Sequence, residues 1–369
     1  MKFYKYDPLQ LYRNELQEKF LTVLDCGQFI GGREVATFER EFGNYTNTVE
    51  VVACGNGLDA LKLAILDLNL PKQSKIGVSG HTFFATWLAI LDCGHIPIGI
   101  DANLENLQMD VSKLQECLEV NPDISAVIYV HMHGILGPIE EVAKYCHDRE
   151  IYLIEDCAQA HGLRAGQHVG TFGDFGAFSF YPTKNLPALG DAGAIISKKR
   201  ELKKIRSMAN YGWTTDSKEV HEIVGFNSRL DSLQAGFLNV HLKYLDQLNL
   251  KRSKIASQYL ESLQLSNSIR CVEAKVSVWH HFPVLVSDRE KFVNFLNSRN
   301  IPHQIHYPVP CHLQPAYLKF NFSSKGAQNL QNAYSISQQI LSLPIHPWMS
   351  DQEVNFVQNA LLEWIQKYE

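Results

Sequence analysis

From Val51 onward the chain alternates short apolar runs with longer amphipathic ones, and few architectures satisfy that alternation. VVAC, KIGVS, IPIGI, AVIYV and IYLIE each have the length and composition of a buried strand. Between them, residues 58–68, 83–93, 110–119 and 139–149 carry apolar side chains at helical spacing. Apolar strands separated by helices form a largely parallel sheet with helices on both faces. Ligands of such sheets bind beyond the carboxyl ends of the strands. Chemistry is therefore expected of the residues at those ends and in the loops after them.

The flanking segments read differently. Residues 9–26 and 33–45 form two amphipathic helices, the second with Val35, Phe38 and Phe42 on one face. RELKKIRSMAN is a further helix, and residues 210–228, polar and without period, are a long loop. Long loops in compact domains are more often functional than idle. A helical region from Leu230 to about Leu263 precedes the strand VSVWHHFPVLV and the helix DREKFVNFLNSRN, which Ser287 and Glu290 open as a capping box. The strand-like IPHQIHYPV and helices at 326–341 and 351–367 complete the chain, the last with a capping box at Ser350 and Glu353. This places a large α/β domain over 1–244 and a smaller α+β domain over 245–369, joined by the N-terminal helix.

With 369 residues, 45% apolar, the chain can bury the cores of two domains. Its net charge of −5 carries no footprint of nucleic acid. No apolar run approaches the roughly 18 residues of a membrane span. The N-terminus lacks the apolar core of a signal peptide. The cysteines form no CxxC pair and read as reduced thiols, which points to the cytoplasm.

One lysine stands out. In SFYPTKNLPALGDAGA, Lys184 occupies a short turn between the apolar runs GAFSF and GAIIS, among Tyr181, Pro182, Leu186 and Pro187. Two readings stay open on these residues: a loop lysine that snorkels to solvent, or an amine of depressed pKa suited to Schiff-base chemistry. Asp156, at the end of IYLIE, is either a helix cap or a charge aimed into the cleft. CGNGLDAL presents two glycines and a new helix, an arrangement that binds phosphate through free N–H groups. It matches neither a dinucleotide fingerprint nor a Walker sequence. Ser179 leaves its strand five residues ahead of Lys184, and Asn227 ends the long loop. His131, His133, His280, His281, His303, His306 and His312 lack an acidic or cysteine partner at ligand spacing, so no metal site is expected. A phosphate cup, an anion and an amine together are what pyridoxal phosphate requires.

The motifs GQFIGGREVATFEREFGNY, GNGLDAL, HTFFAT, EDCAQAHG, SFYPTKNLPALGDAGAI, NYGW, GFNSRLDSLQA, IHYPVPCHLQPAY and LSLPIHP run in one order along nearly the whole chain. On them the chain resembles the DegT/DnrJ/EryC1/StrS family of sugar aminotransferases. GNGLDAL and NSRLDSLQA are most similar to the branch acting on nucleotide-linked 3-keto-6-deoxyhexoses. Pro187, where the family usually has glycine, and HMHG, where many members have HLYG, are departures.

The resemblance implies the fold type I pyridoxal-phosphate transferase fold, with a mostly parallel seven-stranded sheet in the large domain. It implies that Lys184 binds the cofactor covalently, Asp156 pairs with its ring nitrogen, Gln159 touches its ring hydroxyl and Phe83 stacks on it. Gly57, Leu58 and Asp59 would offer backbone N–H groups to the phosphate, with the Ser179 hydroxyl. Asn227 would reach that phosphate from a partner subunit in a homodimer with shared sites. Tyr181, Tyr211, His306 and Tyr317 are the implied sugar contacts. The implied reaction moves an amino group from L-glutamate to a nucleotide-linked keto sugar, dTDP-linked and ketonic at position 3, in amino-sugar biosynthesis. Transfer at the 4-keto position is one alternative. A dehydratase of the same fold is another, but that branch replaces the lysine by histidine. A non-catalytic regulator is a third, and the retained lysine, aspartate and serine speak against it.

Overall fold

The computed structural model describes residues 8–213, 219–320 and 330–369. Twelve strands appear in it: β1 Glu50–Cys54, β2 Lys75–Ser79, β3 Ile96–Ile100, β4 Ile124–Val130, β5 Tyr152–Asp156, β6 Arg164–Ala165, β7 Gln167–His168, β8 Phe175–Ser179, β9 Gly193–Ser197, β10 Ile269–Cys271, β11 Phe282–Val286 and β12 Ile340–Leu343. Seven of them form one sheet in the order β1-β9-β8-β5-β4-β2-β3. Only β9 runs against the other six, being antiparallel to both β1 and β8. The near-continuous apolar strands are explained by this topology, because helices cover both faces of the sheet.

One face of the sheet packs under the helices Gly57–Asp67 and Phe84–Asp92 through Leu61, Ile65, Trp87 and Ile90. The other face meets Phe38 and Phe42 of the helix Gly32–Thr46. Those two rings stack at 5.5 Å and meet Phe180 edge-on, at 5.2 and 5.4 Å. The N-terminal helix Pro8–Cys26 places Tyr12 and Leu16 against Phe237 and Val240 of the helix Ser232–Leu242, and Tyr12 also meets the Trp348 ring at 6.1 Å.

The second sheet is antiparallel, β10-β11-β12, with its own core. Helices Leu245–Leu263, Arg289–Ser298 and Asp351–Tyr368 supply most of that core. Several expectations for this region need correction. The helical run after Leu230 is two helices, broken at Lys243 and Tyr244. Asp288, not Ser287, caps the helix Arg289–Ser298, its carboxylate accepting the Lys291 N–H at 3.0 Å. IPHQIHYPV is not a strand: among the described residues only its Gln304 forms a bridge, to Ser342, and Pro302 and Pro308 interrupt the segment. The helix expected over 326–341 is seen as Gln331–Gln339, and Ile340 and Leu341 belong to β12; its first expected residues lie outside the described ones. The Ser350–Glu353 capping box is present. Among the described residues no helix is long and apolar enough to cross a membrane.

Trp364 is 2% exposed, packs on Phe292 at 4.8 Å and donates Nε1–H to Ser268 Oγ at 3.0 Å. Trp364→Ala is expected to destabilise the chain by roughly 3–5 kcal/mol. Urea denaturation followed by circular dichroism measures this; a change under about 1 kcal/mol would mean that the site collapses around the truncation.

Candidate active site

A cavity of about 1390 Å³ opens at the carboxyl ends of the parallel strands. Gly57, Leu58, Phe83, Asp156, Gln159, Ser179, Tyr181, Lys184 and His306 all line it. Topology explains the lysine. Because β9 returns antiparallel to β8, the chain between them, which carries Lys184, must cross the carboxyl end of the sheet.

Asp156 ends β5 and is 7% exposed. Its Oδ2 accepts the Thr86 hydroxyl at 2.9 Å and its Oδ1 the Ala158 N–H at 3.1 Å. Among the described residues no cation lies within ion-pairing distance of it. Burial pushes its carboxyl above the usual range, against those two hydrogen bonds and the charge of Lys184. The same surroundings lower the Lys184 amine to about 8, because burial disfavours the ammonium; Asp156 partly opposes this. Lys184 Nζ has no hydrogen-bond partner among the described residues. Opposite shifts of an acid and a base in one cavity mark a site for proton chemistry.

The helix Gly57–Asp67 begins flush against β8. A Cβ on Gly57 would lie 2.6 Å from Ser179 Cβ, so only glycine lets the helix start sit there. Gly193 is fixed by a similar approach, 2.4 Å from the Asn56 carbonyl oxygen. Asn56 caps the helix, its Oδ1 accepting the Asp59 N–H at 2.8 Å. This corrects one expectation: the Asp59 N–H is taken. The N–H groups of Gly57 and Leu58 have no acceptor among the described residues, and both residues line the cavity beside Ser179. The Asp59 carboxylate instead accepts from Ser228 Oγ at 2.8 Å, and Ser228 Oγ accepts the Gly55 N–H at 3.0 Å. The long loop is thereby tied to the cup.

Asn227, beside Ser228, is exposed and does not line the cavity of its own chain; it bridges to Asn210. Tyr211, next to Asn210, is 42% exposed and also lies outside that cavity. Tyr317 is a correction: it is buried edge-on against Trp87 at 4.9 Å and belongs to the core, not to the cavity wall.

Other cavity groups were not singled out by sequence reasoning. Thr86 orients Asp156, and its position in HTFFAT, one helical turn after Thr82, was a usable signal. Tyr307 places its ring 5.4 Å from the Phe83 ring and its hydroxyl 3.5 Å from Gln159 Nε2. Gln159 Oε1 accepts the His133 N–H at 2.7 Å, which leaves its amide nitrogen for the cavity. The histidines also converge: His133 contacts His81 through Nε2 at 3.1 Å and His281 through Nδ1 at 3.2 Å. His281 stacks on His306 at 3.8 Å. Burial holds His81 and His306 down to about 4, so this wall is neutral at pH 7.

Strand neighbours β4 and β5 bring Glu155 and Cys157 to His131, an acidic and a cysteine partner that the spacing did not reveal. The Glu155 carboxylate is already filled: it accepts from His131 at 2.9 Å and from the N–H groups of Gly170, Phe172 and Gly173 at 2.7, 2.7 and 2.8 Å. Its work is to hold that turn.

Fold and cavity define an α/β enzyme built on a lysine amine and a buried carboxylate. The sequence model of the DegT/DnrJ/EryC1/StrS aminotransferase family matches residues 10–362, and the chain belongs to that family. It is 37% identical over 358 residues to dTDP-3-amino-3,6-dideoxy-alpha-D-galactopyranose transaminase of Aneurinibacillus thermoaerophilus, covering 95% of each chain. Its structure is similar to Streptomyces venezuelae DesV in complex with a ketimine intermediate, at TM-score 0.92 and 34% identity, covering 98% of this chain and 97% of that one. It is also similar to NtdA of Bacillus subtilis with the bound cofactor PMP, at TM-score 0.88 and 27% identity, covering 96% and 82%.

The Lys184 amine is expected to titrate near 8. The rate of its carbamylation by cyanate in cofactor-free full chain, followed against pH by peptide mass spectrometry, should be half-maximal there. A midpoint at the ordinary lysine value, about 10.4, would place the amine in solvent.

Proposed function

We propose that the protein is a pyridoxal-phosphate-dependent aminotransferase that moves the amino group of L-glutamate to a nucleotide-linked keto-6-deoxyhexose, dTDP-linked and ketonic at position 3. The observation that carries this reading is the placement of the Lys184 amine and the Asp156 carboxylate on one cavity, beside a helix start with free N–H groups. These residues fit the cofactor. A buried carboxylate with no cation paired to it among the described residues suits a protonated ring nitrogen, and Gly57, Leu58 and Ser179 suit its phosphate. The sugar and its keto position rest on the names of the relatives.

When bound, pyridoxal phosphate supplies a carbonyl carbon for the amino group and a ring that takes up the electron pair released at the substrate carbon. Lys184 would hold it at rest. Asp156 would keep a proton on the ring nitrogen, with Thr86 and the Ala158 N–H fixing the carboxylate. Phe83 and the Gln159 amide nitrogen, both on the cavity wall, would serve its ring face and its hydroxyl. Lys184, freed by the amino donor, removes the proton from the donor α-carbon, and later gives one to the sugar carbon that bore the ketone. Tyr181 and His306 reach the sugar from the same cavity wall.

The protein works as a homodimer. Asn227 of the partner subunit completes the phosphate site, which accounts for its distance from its own cavity. Tyr211 crosses with it. An exposed apolar row on and after the first helix, with Leu21, Leu24, Phe29 and Ile30 all at least 43% exposed, is available for the subunit contact. A two-fold dimer is also the commonest symmetric assembly.

Incubation with glutamate and a panel of nucleotide-linked keto sugars should give 2-oxoglutarate with the dTDP-linked 3-keto-6-deoxyhexose above all others. Lys184→Ala should abolish this, and borohydride should fix the cofactor on Lys184 of the native chain. Asp156→Asn should keep the melting temperature but lose at least about 100-fold in turnover, because an amide cannot hold the ring proton. Near-normal turnover would reduce Asp156 to a structural cap.

Shared sites make a separate prediction. Mixing inactive Lys184→Ala subunits with inactive Asn227→Asp subunits should restore activity toward about a quarter of the native value, since half the dimers are mixed and each has one intact site. No recovery despite demonstrated exchange would assign Asn227 to its own chain's site.

A further inference from the structure

Asn185, the residue after Lys184, is 5% exposed and uses both ends of its amide. Its Nδ2 donates to the Val278 carbonyl at 2.9 Å and to Asn249 Oδ1 at 2.9 Å. Asn249 in turn donates Nδ2 to the His161 carbonyl at 2.9 Å. A backbone carbonyl can only accept, so both amides have one orientation. Asn185 Oδ1 is then left facing His280 Nδ1 at 3.0 Å, and Oδ1 too can only accept. The proton of a neutral His280 ring must sit on Nδ1. Nε2 keeps a bare lone pair, has no hydrogen-bond partner among the described residues, and belongs to a ring that lines the same cavity as Lys184.

Within the transamination read above, Lys184 becomes an ammonium each time it takes a proton from a substrate carbon. Asp156 is then committed to the ring nitrogen. A second carboxylate would hold the ammonium too firmly for it to give the proton back. A neutral acceptor stabilises the ammonium with a hydrogen bond and no full ion pair. We propose that His280 is a positioning residue for the reaction: its bare Nε2, locked in that state by Asn185, receives the Lys184 ammonium between proton removal and proton return. The proton stays on Nζ throughout and returns from there to carbon; His280 takes none.

The groups that act on this pair are few. Asp156, at the end of β5, raises the Lys184 amine, and burial lowers it. His280 is held well below its ordinary value, first by burial and then by the positive charge of Lys184 and Arg252. His161, His281 and His306, the other rings that feel Lys184, are all lowered by burial as well. A ring held neutral from every side is free to act only as donor or acceptor, and the amide network selects acceptor.

The inference rests on the reading of Lys184 as the reaction's base, and its test separates the two. In the native full chain labelled with ¹⁵N-histidine, the His280 ring, identified by the signals lost in His280→Phe, should show a protonated Nδ1 and an unprotonated Nε2. An Nε2–H ring in the native chain overturns the proposal without any variant having to fold. Cyanate carbamylation of Lys184 in cofactor-free full chain provides the second measurement. His280→Phe removes the acceptor and Asn185→Leu releases the tautomer. Each should destabilise the ammonium, lower the amine's titration midpoint and speed carbamylation at pH 7, by roughly three-fold for half a pKa unit. A purely structural network would lower the melting temperature and leave the midpoint unmoved in Asn185→Leu, which also overturns the proposal. A native chain that carries no cofactor on Lys184 would sink the transaminase reading while leaving both measurements intact.

Discussion

A carboxylate buried at a strand end, with no cation in ion-pairing reach among the described residues, is a costly thing for a protein to keep, and the cavity is arranged around Asp156. Two hydrogen bonds, from Thr86 and the Ala158 N–H, orient it but do not neutralise it. The same burial that raises its carboxyl lowers the Lys184 amine to about 8. One low-dielectric environment therefore prepares an acid and a base at once. The remaining charge imbalance suits a cationic ring, and this physical fit underlies the proposed cofactor.

The backbone brings these two groups together by topology. Parallel strands deliver Asp156 and Ser179 to one edge of the sheet, and the single reversed strand β9 forces the Lys184 segment across that edge. Close packing then fixes the approach of the helix Gly57–Asp67: Gly57 rests on Ser179 and Gly193 on Asn56, each with no room for a Cβ. The Lys184 turn is tied in turn to the wall of the second sheet, since Asn185 bonds to Val278, Asn249 and His280. Lysine turn, helix start and the wall beside the second sheet thus form one connected structure.

The sheet was legible because its strands are apolar on both faces, a pattern that no amphipathic helix imitates. Five runs read as strands lie within one or two residues of β1 to β5. Local signals failed where a neighbour outside the local sequence decided the outcome. Asp288 outcompetes Ser287 as a helix cap, because a carboxylate beside the helix N-terminus also gains from its dipole. Ile340 and Leu341 leave the helical pattern for β12 because β11 offers them a ladder. IPHQIHYPV has the composition of a strand, but among the described residues it finds a bridge partner at Gln304 alone. Tyr317 looked like a polar contact in an aromatic motif, and Trp87 holds it in the core.

By itself the sequence determined the alternating architecture, the glycine-bounded lysine turn, the strand-end aspartate and the helix that begins at GNGLDAL. Each of these is a local pattern whose physics needs few residues. Only the tertiary structure decided which of them meet. It set Lys184 and Asp156 on one cavity, spent the Asp59 N–H on the Asn56 cap, and kept Asn227 out of its own chain's site. It also assembled the histidine wall from residues 81, 133, 281 and 306, and gave His280 its polarity through two asparagines and two backbone carbonyls. Those outcomes depend on long-range packing and on the direction of each hydrogen bond, and neither is written in the spacing of residues along the chain.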